Sequence, residues 1–327
     1  MIVIPNVGPT TTTRWGGRRQ WLNGLQWGGL LTLMILIYGS HAPLIALTKV
    51  DGQVPFSPPS CVVLIELAKL LISLATLLLN GDAAALLAPP SLPLVAPYAA
   101  PALLYALNNN LVVLMQAHMD PSSYQVLTNL KIASTALLYT FCLGRRLRPV
   151  QWSALGLLMG AGVCHSYSSL RSEDLERAAA DSSARLHITA WGIFLVLLYC
   201  FVSGLAAVYT ERVLKSQRLP LSLQNLYLYA FGVAINGATY LFGETGEKGF
   251  LEGYSGAVWG IIAGQAANGL LMSVVLKHGS GITRLFVISS SMLVNALLSW
   301  AILGLELTPL FLLPVTMTAV AAYLYYT

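Results

Sequence analysis

Ten stretches of the chain stay apolar for about twenty residues each, and short polar or turn-rich segments separate them. They run Gln26–Leu47, Ser60–Leu79, Leu92–Met115, Ser122–Leu143, Pro149–Ser169, Ile188–Thr210, Leu221–Phe242, Tyr254–Leu276, Ile282–Gly304 and Leu307–Tyr326. A helix rises about 1.5 Å per residue, so about 20 apolar residues span a hydrocarbon core of about 30 Å. The pattern predicts ten membrane helices. Turn residues punctuate them at Asp51-Gly52, Asn80-Gly81-Asp82, Gly246 and Gly279–Gly281. Pro309 and Pro314 interrupt the last stretch, an interruption that membrane helices tolerate better than soluble ones.

Composition supports the same class. Of 327 residues, 56% are hydrophobic and 9% charged, against about 25% charged in a soluble domain. Mean hydropathy is +0.69. A soluble enzyme, a disordered linker and a coiled coil are excluded. Ten spans use roughly 200 positions, leaving no room for a large domain outside the membrane. The expected fold is an all-α integral membrane protein. Cys61, Cys142, Cys164 and Cys200 lie in or beside apolar runs and read as small buried hydrophobes, not as a disulfide or zinc framework. No Asn-x-Ser/Thr acceptor occurs to mark a glycosylated face. The opening MIVIPNVGPTTTTRWGGRRQ is too short in its apolar part, and broken by Pro5, to read as a signal peptide.

Charge then orients the helices. The tail and loops on the N-terminal side carry eleven positive residues: Arg14, Arg18, Arg19, Arg145, Arg146, Arg148, Arg212, Lys215, Arg218, Lys277 and Arg284. Asp82 and Glu211 oppose them. The other side carries five positives, Lys49, Arg171, Arg177, Arg185 and Lys248, against ten acids. The excess predicts that both termini are cytoplasmic. Positive charge scattered over loops gives no nucleic-acid footprint. A loop at 170–187 divides two groups of five spans, so the second group is inverted relative to the first. The expected organisation is a cytoplasmic tail (1–25), a first five-helix repeat (26–169), a lumenal loop (170–187) and a second repeat (188–327). Secondary transporters built this way bind their cargo near the midplane between the repeats.

Ionisable residues inside spans cost roughly 2.5–3.5 kcal/mol each, so they carry the most information. Glu66 and Lys69 stand three apart on one helix face and read as an interior ion pair, with Lys69 also lending positive potential to a cavity. Lys131 has no acid within helical reach and shares a stripe with Tyr124 and Thr128. An ammonium among hydroxyls fits a wet cavity awaiting an anion; the bland alternative is snorkelling or a distant acid. Tyr105 and Asn109 share a face beside Asn108, and Asn225 and Tyr229 repeat that spacing in the second half. Amides and tyrosines can read and stack on a nucleobase, or simply bond neighbouring helices. Lys277 and Arg284 flank a Gly-Ser-Gly turn, where they either serve a site or only mark positive-inside topology. Glycines such as Gly204 and Gly232 read as packing positions, and His41 with Pro43 as a kink or gate. Phosphate-loop and zinc-protease motifs are missing, and no aspartate falls in a span, so neither an enzyme nor a cofactor is expected.

These residues sit in segments that resemble the nucleotide-sugar transporter family (solute carrier family 35, subfamily A) of the drug/metabolite transporter superfamily. IELAKLL (65–71) resembles its T-E-x-x-K-L, and YALNNN (105–110) its Y-A-x-Q-N-N. YQVLTNLKI (124–132) resembles Y-Q-V-x-x-Q-L-K-I, the most specific stretch. SGLAAVYTERVLK (203–215) and KHGSGITRLF (277–286) resemble S-G-x-A-G-V-Y-F-E-K-x-L-K and K-Y-A-D-N-I-x-K-G-F. The resemblance implies phosphate contacts from Lys131 and Lys277. It implies pyrimidine and ribose contacts from Tyr105, Asn108, Asn109 and Tyr124. Ser203, Asn225, Tyr229 and Lys69 would complete the cavity. It also implies a Golgi membrane, exchange of a pyrimidine nucleotide sugar for a nucleoside monophosphate, and homo- or hetero-oligomers with related carriers. Asn108, Phe231, Asn268-Gly269 and Ser280-Gly281 depart from the usual Gln, Ser, Gly-Gly and Asp-Asn. With these departures the implied cargo is a UDP-sugar or a CMP- or CDP-linked compound such as CDP-ribitol. The rival readings are a transport-inactive scaffold for related carriers and a membrane transferase.

Overall fold

The structure is a computed structural model that describes residues 16–49, 54–81, 91–119, 121–177, 190–242, 249–304 and 311–327. Among them, twelve α-helices form. These are α1 (Gly16–Thr48), α2 (Pro58–Leu79), α3 (Leu92–Val95), α4 (Ala99–His118), α5 (Pro121–Leu127), α6 (Lys131–Leu143), α7 (Pro149–Arg177), α8 (Ala190–Ser216), α9 (Leu221–Phe242), α10 (Gly256–His278), α11 (Gly281–Leu303) and α12 (Leu312–Tyr326). One 3₁₀ turn, Ala96–Tyr98, joins α3 to α4, and another, Thr128–Leu130, joins α5 to α6. Among the described residues, six helical segments are long and apolar enough to cross a membrane: Gly24–Thr48, Pro58–Leu79, Ser123–Leu143, Ala190–Ser216, Gly256–His278 and Gly281–Ile302. The molecule is an all-helical, multi-pass membrane protein.

Local chemistry sets the helix ends. Prolines open α2, where the missing N–H is one the first turn leaves unbonded anyway. Ser280 caps α11 by accepting from the Thr283 N–H at 3.1 Å. Gly144 and Gly304 end α6 and α11 at φ 63° and 70°, a conformation other residues resist. Three boundaries differ from the sequence reading. α1 begins at Gly16, inside the expected tail. α7 continues to Arg177, into the expected 170–187 loop, because Leu, Glu and Arg in that stretch favour helix. α8 continues to Ser216, so Glu211 belongs to a helix rather than a loop. The turn at Asp51-Gly52, residues 178–189, Gly246 and Pro309 lie outside the described residues.

Burial is inverted relative to a soluble protein. Phe141 and Phe242 are 82% and 88% exposed, while Lys69 and Glu211 are 9% and 0% exposed. Exposed rings and buried charges suit a hydrocarbon solvent outside and polar partners within. The packing crosses the chain's midpoint repeatedly. α2 lies on α9 and α7 on α12; α1 meets α10 and α11; α8 meets α4 and α6; α4 also meets α9, and α10 meets α2. An apolar cluster of Ile132, Tyr139, Leu158, Val208, Phe286 and Tyr325 ties α6, α7, α8, α11 and α12 together.

Candidate functional site

A cavity of about 320 Å³ opens where these inter-half contacts converge. α1, α2 and α4 wall it from one side and α8, α9, α10 and α11 from the other. Its polar lining includes Tyr38, Glu66, Lys69, Tyr105, Asn109, Thr210, Tyr229, Asn236, Gln265, Asn268, Ser273 and Arg284. The volume lies at the lower end of small-molecule sites, which run from about 300 to 1,000 Å³.

On one wall, Lys69 donates to Glu66 Oε1 at 2.6 Å and sits 4.5 Å from the Tyr229 ring centroid. Two glycines make room for this pair. A Cβ at Gly232 would meet Glu66 Oε2 at 2.5 Å, and one at Gly269 would meet Lys69 Cδ at 2.6 Å. Gly232 thus packs as expected, with the Glu66 carboxylate in the space a side chain would fill. Many lining groups are already bonded to the protein. Tyr229 donates to Gly269 O at 3.1 Å, Asn236 to Gly232 O at 2.8 Å and Ser273 to Leu270 O at 2.7 Å. Thr210 donates to Ala206 O at 2.6 Å.

The other end is cationic. The Arg284 guanidinium lies 6.0 Å from the Tyr105 ring centroid. Lys131 stands behind it, with Arg284 and Cys200 as its electrostatic neighbours. Neither cation has an ion pair among the described residues, where the two bridges are Lys69–Glu66 and Lys215–Glu211. Lys131 is the first residue after the 3₁₀ turn within the rod Ser123–Leu143. A tightened turn inside a helix re-aims the side chains that follow it. Asn129 fastens that turn, donating to Gln125 O, Val126 O and Ser166 Oγ at 3.0, 3.2 and 3.3 Å. Gly162 leaves the space its amide occupies, since a Cβ there would run into Asn129 Oδ1.

The expected site residues therefore divide. Lys69, Tyr105, Asn109 and Tyr229 line the cavity; Lys131, Asn108, Tyr124, Ser203, Asn225 and Lys277 do not. Tyr199 links two of the second set, through hydroxyl interactions with Tyr124 and Asn108, and Tyr38 stands near both tyrosines. Tyr38 and Arg284 thus border both the cavity and the Tyr124–Lys131 cluster. Asn225 supports the wall from behind, donating to Ser273 Oγ at 2.8 Å. Ser203 is buried in α8. Lys277 donates to Leu214 O and to Gln217 O, which closes the C-terminal end of α8. Arg284, less than two turns further on, is the residue that reaches the cavity. Sequence reading left Arg284 open between topology and a site, and passed over Gln265. The signal for Gln265 was present: with Asn268 it places two amides three residues apart in an apolar run.

Walls from both halves of the chain, an internal ion pair and a cation without an ion pair among the described residues are features that a membrane carrier for an anionic solute requires. The comparisons name the class. The family model for nucleotide-sugar transporters matches residues 29–326. The probable UDP-sugar transporter protein SLC35A4 of Danio rerio is 63% identical over 303 residues, covering 93% of this chain and 94% of that protein. Its Homo sapiens counterpart is 51% identical over 306 residues, covering 92% and 94%, and the Xenopus tropicalis one 49% over 321 residues, covering 98% of each. A crystal structure shares the fold with a TM-score of 0.66 at 14% identity, over 90% of this chain and 94% of its own. The chain belongs to the nucleotide-sugar transporter family, and so is a carrier rather than an enzyme.

Proposed function

We propose that this chain is an alternating-access antiporter of a pyrimidine nucleotide sugar or nucleotide alcohol, exchanged for a nucleoside monophosphate. The observation that carries the reading is Arg284, a cation in the cavity wall with no ion pair among the described residues, and Lys131 close behind it, likewise unpaired. Like charges in a low-dielectric site repel, and a phosphate between them relieves that repulsion. Arg284 offers a planar fork and Lys131 a compact point charge. Tyr105 and Asn109, beside Arg284, suit stacking on and hydrogen bonding to the base. Exchange follows from the same electrostatics. A departing monophosphate keeps the cations neutralised, so the carrier never reorients with bare charge.

The helix pairing supports two inverted five-helix repeats made of ten crossing rods, counting α3–α4 and α5–α6 as continuous. Exchanging the halves converts α1 on α11 into α8 on α6, and α4 on α9 into α10 on α2; α2 on α9 and α7 on α12 map onto themselves. In this reading both termini are cytoplasmic, the loop after α7 is lumenal and the membrane is that of the Golgi. Relatives named as UDP-sugar transporters favour a UDP-sugar cargo, with a CDP-linked alcohol such as CDP-ribitol as the second candidate.

The test is counterflow. Purified protein in liposomes loaded with UMP or CMP should take up labelled UDP-sugars or CDP-ribitol, and only when a monophosphate is inside. Uptake of no pyrimidine nucleotide, in protein that is folded, would favour a transport-inactive scaffold.

A further inference from the structure

On α9 and α10, the polar groups lining the cavity are bonded to backbone carbonyls through Tyr229, Asn236 and Ser273, with two exceptions. Asn268 is 6% exposed, and its Oδ1 is buried without a hydrogen-bond partner. Among the described residues no bond forms from its amide nitrogen either. Gln265, one turn away on the same face of α10, is half-buried, makes no side-chain hydrogen bond among the described residues and lines the same cavity. An unbonded buried amide costs stability, and native proteins keep few of them. One such amide in the wall of a binding cavity, with a half-buried second amide a turn away, implies a ligand that completes it.

Their height in the membrane says which part of the ligand. α10 and α11 are consecutive helices joined by Gly279 and Ser280, so in the transport reading they cross the membrane in opposite directions. Asn268 lies ten residues before the end of α10, and Arg284 three residues into α11. At about 1.5 Å per residue, the two differ in depth by about 10 Å. Asn268 is also next in sequence to Gly269, against which Lys69 packs. With the phosphate at Arg284 and the base at Tyr105 and Asn109, as read above, the group left to reach Asn268 is the one linked beyond the phosphates.

We infer that Asn268, with Gln265 beside it, determines cargo specificity by hydrogen bonding to hydroxyls of the transported sugar or alcohol group. An amide both donates and accepts, as a hydroxyl does, so the match needs no charge. This assignment rests on the transport reading given above.

The test is a coupling cycle in liposomes loaded with UMP. The probes are UDP-galactose and CDP-ribitol, each with analogues lacking one hydroxyl of the sugar or alcohol, together with UMP and 2′-deoxy-UMP. In wild type, loss of one hydroxyl of the linked group should weaken exchange about three- to tenfold. In N268A that difference should vanish, and in N268S, which keeps a hydroxyl, part of it should return. Should N268A fail to fold, N268S and Q265A carry the same cycle. Coupling to the ribose 2′-hydroxyl instead, or to no hydroxyl, overturns the assignment while the transport reading stands. Wild-type protein that exchanges no pyrimidine nucleotide overturns both.

Discussion

Replacing Arg284 with glutamine separates the charge that serves binding from the charge that serves folding. Arg284 lines the cavity, touches the Tyr105 face only at 6.0 Å and has no ion pair among the described residues. A cation about 4 Å from a phosphate oxygen gains about 4 kcal/mol at an effective dielectric constant of about 20. After desolvation, a hydrogen bond to a charged group keeps about 1.5–3 kcal/mol of that. R284Q should therefore raise the KM for monophosphate exchange about 10- to 150-fold. R284K, which keeps the charge and loses the fork, should fall between. The empty protein should lose little, because removing a repulsion with Lys131 offsets the loss of a cation–π contact worth about 0.5–2 kcal/mol. Exchange kinetics in liposomes and thermal unfolding in detergent give the two numbers. A wild-type KM in R284Q, or a collapse of the ligand-free protein, would refute the reasoning.

Other changes should act mainly on stability. K277Q loses the contacts to Leu214 O and Gln217 O, so its melting temperature should fall while its KM stays within about twofold of wild type. E211A should destabilise by about 3 kcal/mol or more, since the fully buried carboxylate binds both Lys215 and the Gly281 N–H at 2.6 Å; denaturation monitored by circular dichroism reads this. G162A should cost about 1–3 kcal/mol in the same measurement, because its Cβ displaces the Asn129 amide. E66A leaves the Lys69 ammonium unpaired beside Tyr229 and should lower yield and melting temperature more than E66Q, which keeps an acceptor.

The fold was largely legible because a bilayer allows few solutions. Each of the ten apolar runs holds a helix, and the differences fall at ends where charge was taken to mean loop. Glu211 is the instructive case. An acid after a long apolar run reads as solvated, yet here it lies 0% exposed at the start of α11, where the unbonded N–H groups of a helix favour a carboxylate. Cavity-lining residues were legible where two polar signals shared a helix face, as at Glu66–Lys69 and Tyr105–Asn109. Lys277 and Arg284 could not be told apart that way. Both flank one turn, and only the packing of α8 against α10 and α11 turns one toward carbonyls and the other toward the cavity.

A structure of the protein with UMP bound would bear hardest on this reading. We expect the phosphate within hydrogen-bond reach of both the Arg284 guanidinium and the Lys131 ammonium, with the uracil near Tyr105 and Asn109. A nucleotide bound elsewhere, with Lys131 held by a carboxylate of the protein, would contradict it.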